Sequence, residues 1–172
     1  MNTASAVIDD LSGDFPETTI GTKWQLLSDA VMGGVSAGRM IRADVSGRPA
    51  VRLQGSVSLE NSGGFLQMAV DLAPDGGAVD GTGFAGIALE VLGNGETYGL
   101  HLRTTELSRP WQSYRQGFRA EPAWQEIALP FSGFLPYRTE VPLDIRQLRR
   151  LGIVAIGRAF EADIAIGRLR FY

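Results

Sequence analysis

The stretch Ser28-Asp29-Ala30-Val31-Met32-Gly33-Gly34-Val35-Ser36-Ala37-Gly38 gathers three glycines, two serines, an aspartate and a methionine into eleven residues. A second stretch, Glu60-Asn61-Ser62-Gly63-Gly64-Phe65, repeats the pattern of polar residue, glycine pair and large apolar residue. Neither composition suits a regular helix or strand, and both read as loops in which glycine supplies positive φ or close backbone approach. The first stretch lacks the lysine and spacing of a phosphate-cradling P-loop and the G-x-G-x-x-G of a dinucleotide site, and no helical pattern follows it. Two readings stay open. Asp29, Ser36 and Asn61 can converge with Met32 and Phe65 on an adaptable protein or peptide interface. Alternatively, the polar residues satisfy strained loop backbone while Met32 and Phe65 plug one end of the fold.

The remaining candidates for chemistry are sparse. The one histidine, His101, lies in phase with Arg103 and opposite Leu100 and Leu102. One imidazole cannot build a histidine-rich zinc site, and no serine or aspartate stands near it at a triad spacing. Asp9, Asp10 and Asp14, and then Asp71, Asp75 and Asp80, are oxygen-rich loop clusters, but neither has the spacing of an EF-hand calcium loop. Glu90 and Glu106 are carboxylates that nothing in the sequence brings together as a glycosidase pair. Trp111, Tyr114 and Trp124 form either a sugar-stacking platform or ordinary core and rim packing. No catalytic residue, metal or cofactor is expected.

Composition narrows the class further. The sequence has no cysteine, which removes disulfides, thiolate metal sites and a cysteine nucleophile. A net charge of -3 argues against generic nucleic-acid binding, and Lys23 is the only lysine among the basic residues. The N-terminal residues show neither a basic region nor an apolar core, and no run approaches the ~20 apolar residues of a membrane-spanning helix. A cytoplasmic location is therefore the expectation.

The elements that must position these residues read as sheet. Twenty-two glycines and eight prolines punctuate many short apolar segments. Strands are expected at Val7-Ile8, 23–27, 39–45, 49–58, 65–72, 112–118, 124–129, 151–156 and 163–172. Asn94-Gly95, between the alternating Ile87, Leu89, Val91 and Leu100, Leu102, predicts a type I′ hairpin. Residues 131–142 read as a loop packed by Phe131, Phe134 and Tyr137, and Asp144 as the cap of a short helical turn. In the last segment the apolar phase slips at Gly167, which predicts a β-bulge. About ten short antiparallel strands with at most one short helix make a single all-β domain over residues 1–172, a jelly-roll β-sandwich.

The two glycine-rich stretches together resemble the signature of the complex I intermediate-associated protein 30 family. The resemblance extends through Gly93-Asn94-Gly95, Tyr98-Gly99-Leu100-His101-Leu102-Arg103-Thr104, Tyr114 to Phe118, Trp124 with Leu129-Pro130-Phe131 and Phe134, and Leu151-Gly152-Ile153. It implies a galactose-binding-like jelly roll. It also implies the role of the eukaryotic namesake, a mitochondrial chaperone that acts by binding during assembly of the membrane arm of NADH:ubiquinone oxidoreductase. The expectation is a non-catalytic binding module for protein partners, including respiratory-complex subunits or assembly intermediates. Its expected site comprises Asp29, Met32, Gly33, Gly34, Ser36, Asn61, Gly63, Gly64 and Phe65, with a sandwich face carrying Tyr98, His101, Arg103 and Tyr114. The alternative is a carbohydrate-binding module that uses the strand aromatics, with Arg103 or Arg115 for hydroxyls.

Overall fold

Alternating apolar residues bury one face of a strand, and two such faces closed on one another make a sandwich. The computed structural model describes residues 2–172 and has this form. Its strands are β1 (Asn2–Thr3), β2 (Val7–Asp9), β3 (Gln25–Ser28), β4 (Ala37–Val45), β5 (Arg48–Val57), β6 (Phe65–Asp71) and β7 (Val79–Asp80). They continue with β8 (Gly86–Leu92), β9 (Thr97–Thr104), β10 (Ser113–Arg119), β11 (Gln125–Pro130), β12 (Leu135–Tyr137), β13 (Leu148–Ile156) and β14 (Phe160–Phe171). The larger sheet has eight strands along the path β1-β7-β13-β9-β10-β12, with β6 beside β13 and β3 beside β6. The smaller has six, in the order β11-β8-β14-β5-β4 with β2 beside β14. Pairing is antiparallel except between the two-residue strands β1 and β7. The only helical pieces among the described residues are short 3-10 turns.

The core lies between the sheets. Leu66, Met68, Leu100, Leu102, Leu151 and Ile153 of the larger sheet meet Leu53, Ile87, Leu89, Ile164, Ile166 and Leu169 of the smaller, all fully buried. Each such side chain contributes about 1.5–3 kcal/mol by leaving water. Trp24 belongs to the same core, and its indole Nε1–H donates to the buried Asp9 carboxylate at 2.8 Å.

The bulge expected at Gly167 is present. Ile166 faces Val91 and Leu169 faces Leu89, so three steps on β14 span two on β8 and both apolar residues stay inside. Asp144 caps a single 3-10 turn by accepting from the Arg146 amide.

The expected hairpin at Asn94-Gly95 is not formed. β8 belongs to the smaller sheet and β9 to the larger, so this loop crosses from one layer to the other. The apolar faces of the two strands meet across the core, whereas a hairpin would have joined their edges. Asn94 braces the crossing, donating from Nδ2 to the Glu161 carbonyl and accepting from the Tyr98 hydroxyl. The segment 131–142 is also more ordered than a loop, because Leu135–Tyr137 adds β12 as an edge strand on β10.

Candidate functional site

The two glycine-rich stretches meet at one end of the sandwich, and Asp29 joins them. Ser28 caps a 3-10 turn over Asp29–Met32 that ends at Gly33 with φ of 82°, turning the chain back on itself. Inside the turn the Asp29 carboxylate is fully buried. It accepts from the Ser36 amide at 3.1 Å, the Ser36 hydroxyl at 2.5 Å, the Gly64 amide at 2.6 Å and the Phe65 amide at 3.2 Å. Ser36 carries the link onward, because its hydroxyl oxygen accepts from the Ser58 amide at 2.8 Å. From the second stretch, Asn61 donates to the Gly33 carbonyl at 3.2 Å from a left-handed backbone with φ of 56°.

The glycines are required by this closeness. A β-carbon on Gly34 would stand 2.6 Å from one Asp29 carboxylate oxygen, and one on Gly63 would stand 2.5 Å from the other. Burial pushes the Asp29 carboxyl up. The hydroxyl of Ser36 and the amides of Gly64, Phe65 and Ser36 outweigh that and hold it below the ordinary carboxylate value. Asp29, Gly34, Ser36, Gly63 and Gly64 therefore form a clasp that fixes loop shape, and their polar atoms point inwards at one another.

Outwards the clasped segments present apolar side chains beside the exposed Glu60, Asn61 and Ser62. Val31 is 82% exposed, Met32 60%, Val35 47% and Leu59 51%, all in or beside the clasped segments. Phe65 opens β6 and is half-buried. Val31, Val35 and Leu59 were not singled out from sequence, since an isolated valine or leucine in a loop gives no sign of exposure.

The strand residues expected on one face separate into two groups. Tyr98 and Tyr114 point into the core. The Tyr98 hydroxyl accepts from the Asp163 amide, and the Tyr114 hydroxyl donates to the Val141 carbonyl. His101 and Arg103 point the other way, onto the outer face of the larger sheet. The suggested platform of Trp111, Tyr114 and Trp124 is likewise not assembled. Tyr114 is in the core, and Trp124 lies on the smaller sheet, where its indole donates to the Val45 carbonyl at 2.8 Å. Trp111 alone of the three is exposed.

The outer face of the larger sheet follows from register. One row crosses it from Ala69 through Gly152 and His101 to Arg115 and Leu135; a neighbouring row runs from Asp71 through Arg150 and Arg103 to Ser113 and Tyr137. Gly99, Gly117 and Gly152 lie on this face, and only Gly117 is left open; neighbouring side chains fill the space over the other two. The His101 ring lies over Gly99, and the Gln67 amide lies over Gly152. His101 is only 9% exposed, yet neither ring nitrogen has a hydrogen-bond partner among the described residues. Burial, helped by the Arg115 charge, lowers its pKa to about 3.

That shift has a measurable consequence. The folded pKa lies below the ordinary 6.5 of the unfolded chain, so the unfolded state binds the proton first on acidification. Stability from the neutral imidazole is complete above about pH 6.5 and declines towards the folded value. His101→Gln is expected to flatten the pH dependence of urea stability between about pH 6.5 and 4. An unchanged slope would contradict the burial of this side chain.

The carboxylates are mostly committed to local bonds. Asp9 serves Trp24, Asp71 pairs with Arg150 at 2.7 Å, and Glu90 pairs with Arg48 at 2.9 Å on the smaller sheet, whereas Glu106 follows β9 of the larger. No group of three His, Cys, Asp or Glu side chains comes together among the described residues. No helix among them is long and apolar enough to cross a membrane.

No curated protein sequence matches the chain. Solved structures do match its fold. A family 11 carbohydrate-binding module from Clostridium thermocellum, in complex with a β-1,3-1,4-mixed-linked tetrasaccharide, superposes with a TM-score of 0.74 at 12% identity, covering 99% of this chain and 96% of the module. A family 30 carbohydrate-binding module of a cellulosomal cellulase from the same organism gives 0.55 at 15% identity over 98% and 94%. An exo-β-agarase gives 0.61 at 10% identity, with 98% of this chain matching 25% of the enzyme. At such identities the likeness establishes the β-sandwich fold alone. In sequence, the model of complex I intermediate-associated protein 30 matches residues 14–166, a span that contains both clasped stretches and every strand from β3 to β13, and the chain belongs to that family.

Proposed function

We propose that the chain is a non-catalytic binding module that engages a protein partner through the apolar rim around the Asp29 clasp. The observation that carries this reading is the exposure of Val31, Met32, Val35 and Leu59 on loops held rigid from within. A rigid loop loses little conformational entropy on binding, and a methionine on it adapts to the surface it meets. Family membership supports a protein partner, and respiratory complex I subunits or assembly intermediates are its first candidates. The double substitution Val31→Ser/Met32→Ser is expected to weaken that association by at least about tenfold, as for loss of a hot spot, with little change in melting temperature. Capture of complex I subunits from detergent-solubilised native membranes measures it. Equal capture by the variant moves the contact elsewhere.

A second reading is favoured by the outer face of the larger sheet. The open Gly117, the His101 and Gln67 polar groups near it and the exposed Trp111 ring suit a saccharide, and the modules of like fold are carbohydrate binders. Under this reading, titration of a glycan panel gives saturable binding that Trp111→Ala abolishes; silence across the panel ends it.

A further inference from the structure

We infer that the outer face of the larger sheet is built for an acidic saccharide, one bearing carboxylate or sulfate groups; this rests on the carbohydrate reading of that face. The motive is a local excess of unpaired arginine. On the smaller sheet and at the sandwich ends the arginines are mostly matched with carboxylates, as in Arg48–Glu90, Arg52–Asp163, Arg119–Glu121, Arg158–Glu96 and Arg170–Glu126. The outer face is different. Arg103, Arg109, Arg115, Arg138, Arg149 and Arg150 gather on it or at its margin, and Asp71 on Arg150 is the only carboxylate ion-paired with any of them among the described residues.

The fold builds this cluster. A bulge in β13 between Leu148 and Arg150 keeps Leu148 and Leu151 in the core, leaving Arg149 and Arg150 half-exposed beside Arg103. Arg103 is aimed by the loop between β9 and β10, its Nη1 donating to the carbonyls of Arg109 and Gln112 at 2.8 and 2.5 Å. Its Nε and Nη2 have no acceptor among the described residues. Arg115 is fixed by Ser113, whose hydroxyl accepts from its Nε at 2.9 Å, and lies over the Tyr137 ring at 3.5 Å. Arg138 lies 5.4 Å from the same ring, its Nε donating to the Tyr137 hydroxyl at 3.1 Å. Like charges held together in a chain of net charge -3 await an anion, and arginine forks are suited to carboxylate and sulfate oxygens.

A saccharide is favoured over an acidic peptide by the rest of the face. Hydroxyl groups require donors and acceptors together, which a neutral His101 imidazole and the Gln67 amide supply. At Gly117, which is exposed and has no side chain above it, a flat ring can come close to the backbone, and Trp111, with Arg109 5.9 Å from its ring, offers an apolar wall.

The test is titration calorimetry of the full chain with an oligogalacturonate and with a neutral β-glucan oligosaccharide of equal length. Poly-glutamate and a single-stranded oligonucleotide serve as other polyanions, and the variant Arg138→Gln/Arg149→Gln changes two charges that have no carboxylate partner. The oligogalacturonate is expected to bind at least about tenfold tighter than the neutral chain, to weaken about tenfold in the variant, and to weaken as salt is raised. Equal affinity for the neutral chain overturns the inference and leaves the carbohydrate reading standing. Equal binding of poly-glutamate or the oligonucleotide overturns the saccharide assignment, and an unaffected variant overturns the placement. Silence towards every probe overturns the inference, and the glycan panel then decides the carbohydrate reading.

Discussion

Asp29→Ala is expected to lower the unfolding free energy by about 3–5 kcal/mol, the range for removing one partner of a buried charged cluster. The carboxylate is fully buried and accepts four hydrogen bonds, three of them from backbone amides of Ser36, Gly64 and Phe65. Alanine leaves those donors unsatisfied inside the end of the sandwich, and a net loss of about 1–3 kcal/mol per stranded group explains the size of the effect. For a chain of this length a melting temperature about 10 °C lower accompanies it. Urea denaturation checks the free energy, and a change below about 1 kcal/mol would mean that the clasp contributes nothing beyond an ordinary surface bond.

The effect is also pH-dependent with a fixed sign. Burial raises the Asp29 carboxyl and its hydrogen bonds more than offset that, so its folded pKa is below the 3.8 of an unconstrained aspartate. Stability from the carboxylate is therefore complete above the unfolded pKa and is lost as pH falls through the folded value. The difference between wild type and Asp29→Asn is expected to be largest near neutrality and to shrink on acidification below about pH 4. Other aspartates, including Asp163 beside Arg52, are lowered too, so the difference between the two proteins is the informative quantity.

Gly63→Ala is expected to cost about 2–4 kcal/mol, through an overpacked contact and distortion of the clasp it strikes. Its β-carbon would stand 2.5 Å from an Asp29 oxygen and 3.0 Å from the Gly34 α-carbon. A flexible neighbour would swing aside, but the Asp29 side chain is tied by every bond it makes. The coupling distinguishes this account from a general intolerance of alanine. In Asp29→Ala/Gly63→Ala the obstructing carboxylate is gone, so the double variant should lose clearly less than the two single losses added together. Strict additivity would show that Gly63 is needed for some other reason.

Much of the fold was legible because alternation and punctuation are local. The slip of apolar phase at Gly167 pointed to a bulge, and the β8–β14 register contains it. The Asn94-Gly95 crossing was misread for a physical reason. Ile87, Leu89, Val91 and Leu100, Leu102 alternate identically whether their strands join edge to edge or face one another across a core. Tyr98 and Tyr114 were placed beside His101 by residue type, whereas a one-residue change of phase puts a strand residue on the opposite face. The convergence of Asp29, Ser36 and Asn61 was readable from composition. The exposed rim was not, since sequence shows which loop residues are apolar and not which are left outside. The arginine cluster was hidden for another reason, because it is drawn from β9, β10, β13 and the ends of loops, and only register brings it together.

In the function proposed above, the clasp holds shape while the rim makes contact. The most direct measurement is affinity capture from detergent-solubilised native membranes with wild type and Val31→Ser/Met32→Ser in parallel, read by mass spectrometry, with melting temperatures taken on both proteins. Wild type is expected to enrich complex I subunits or assembly intermediates, the rim variant to lose them, and both to melt within a few degrees of each other. Equal enrichment by a variant that remains folded would contradict it.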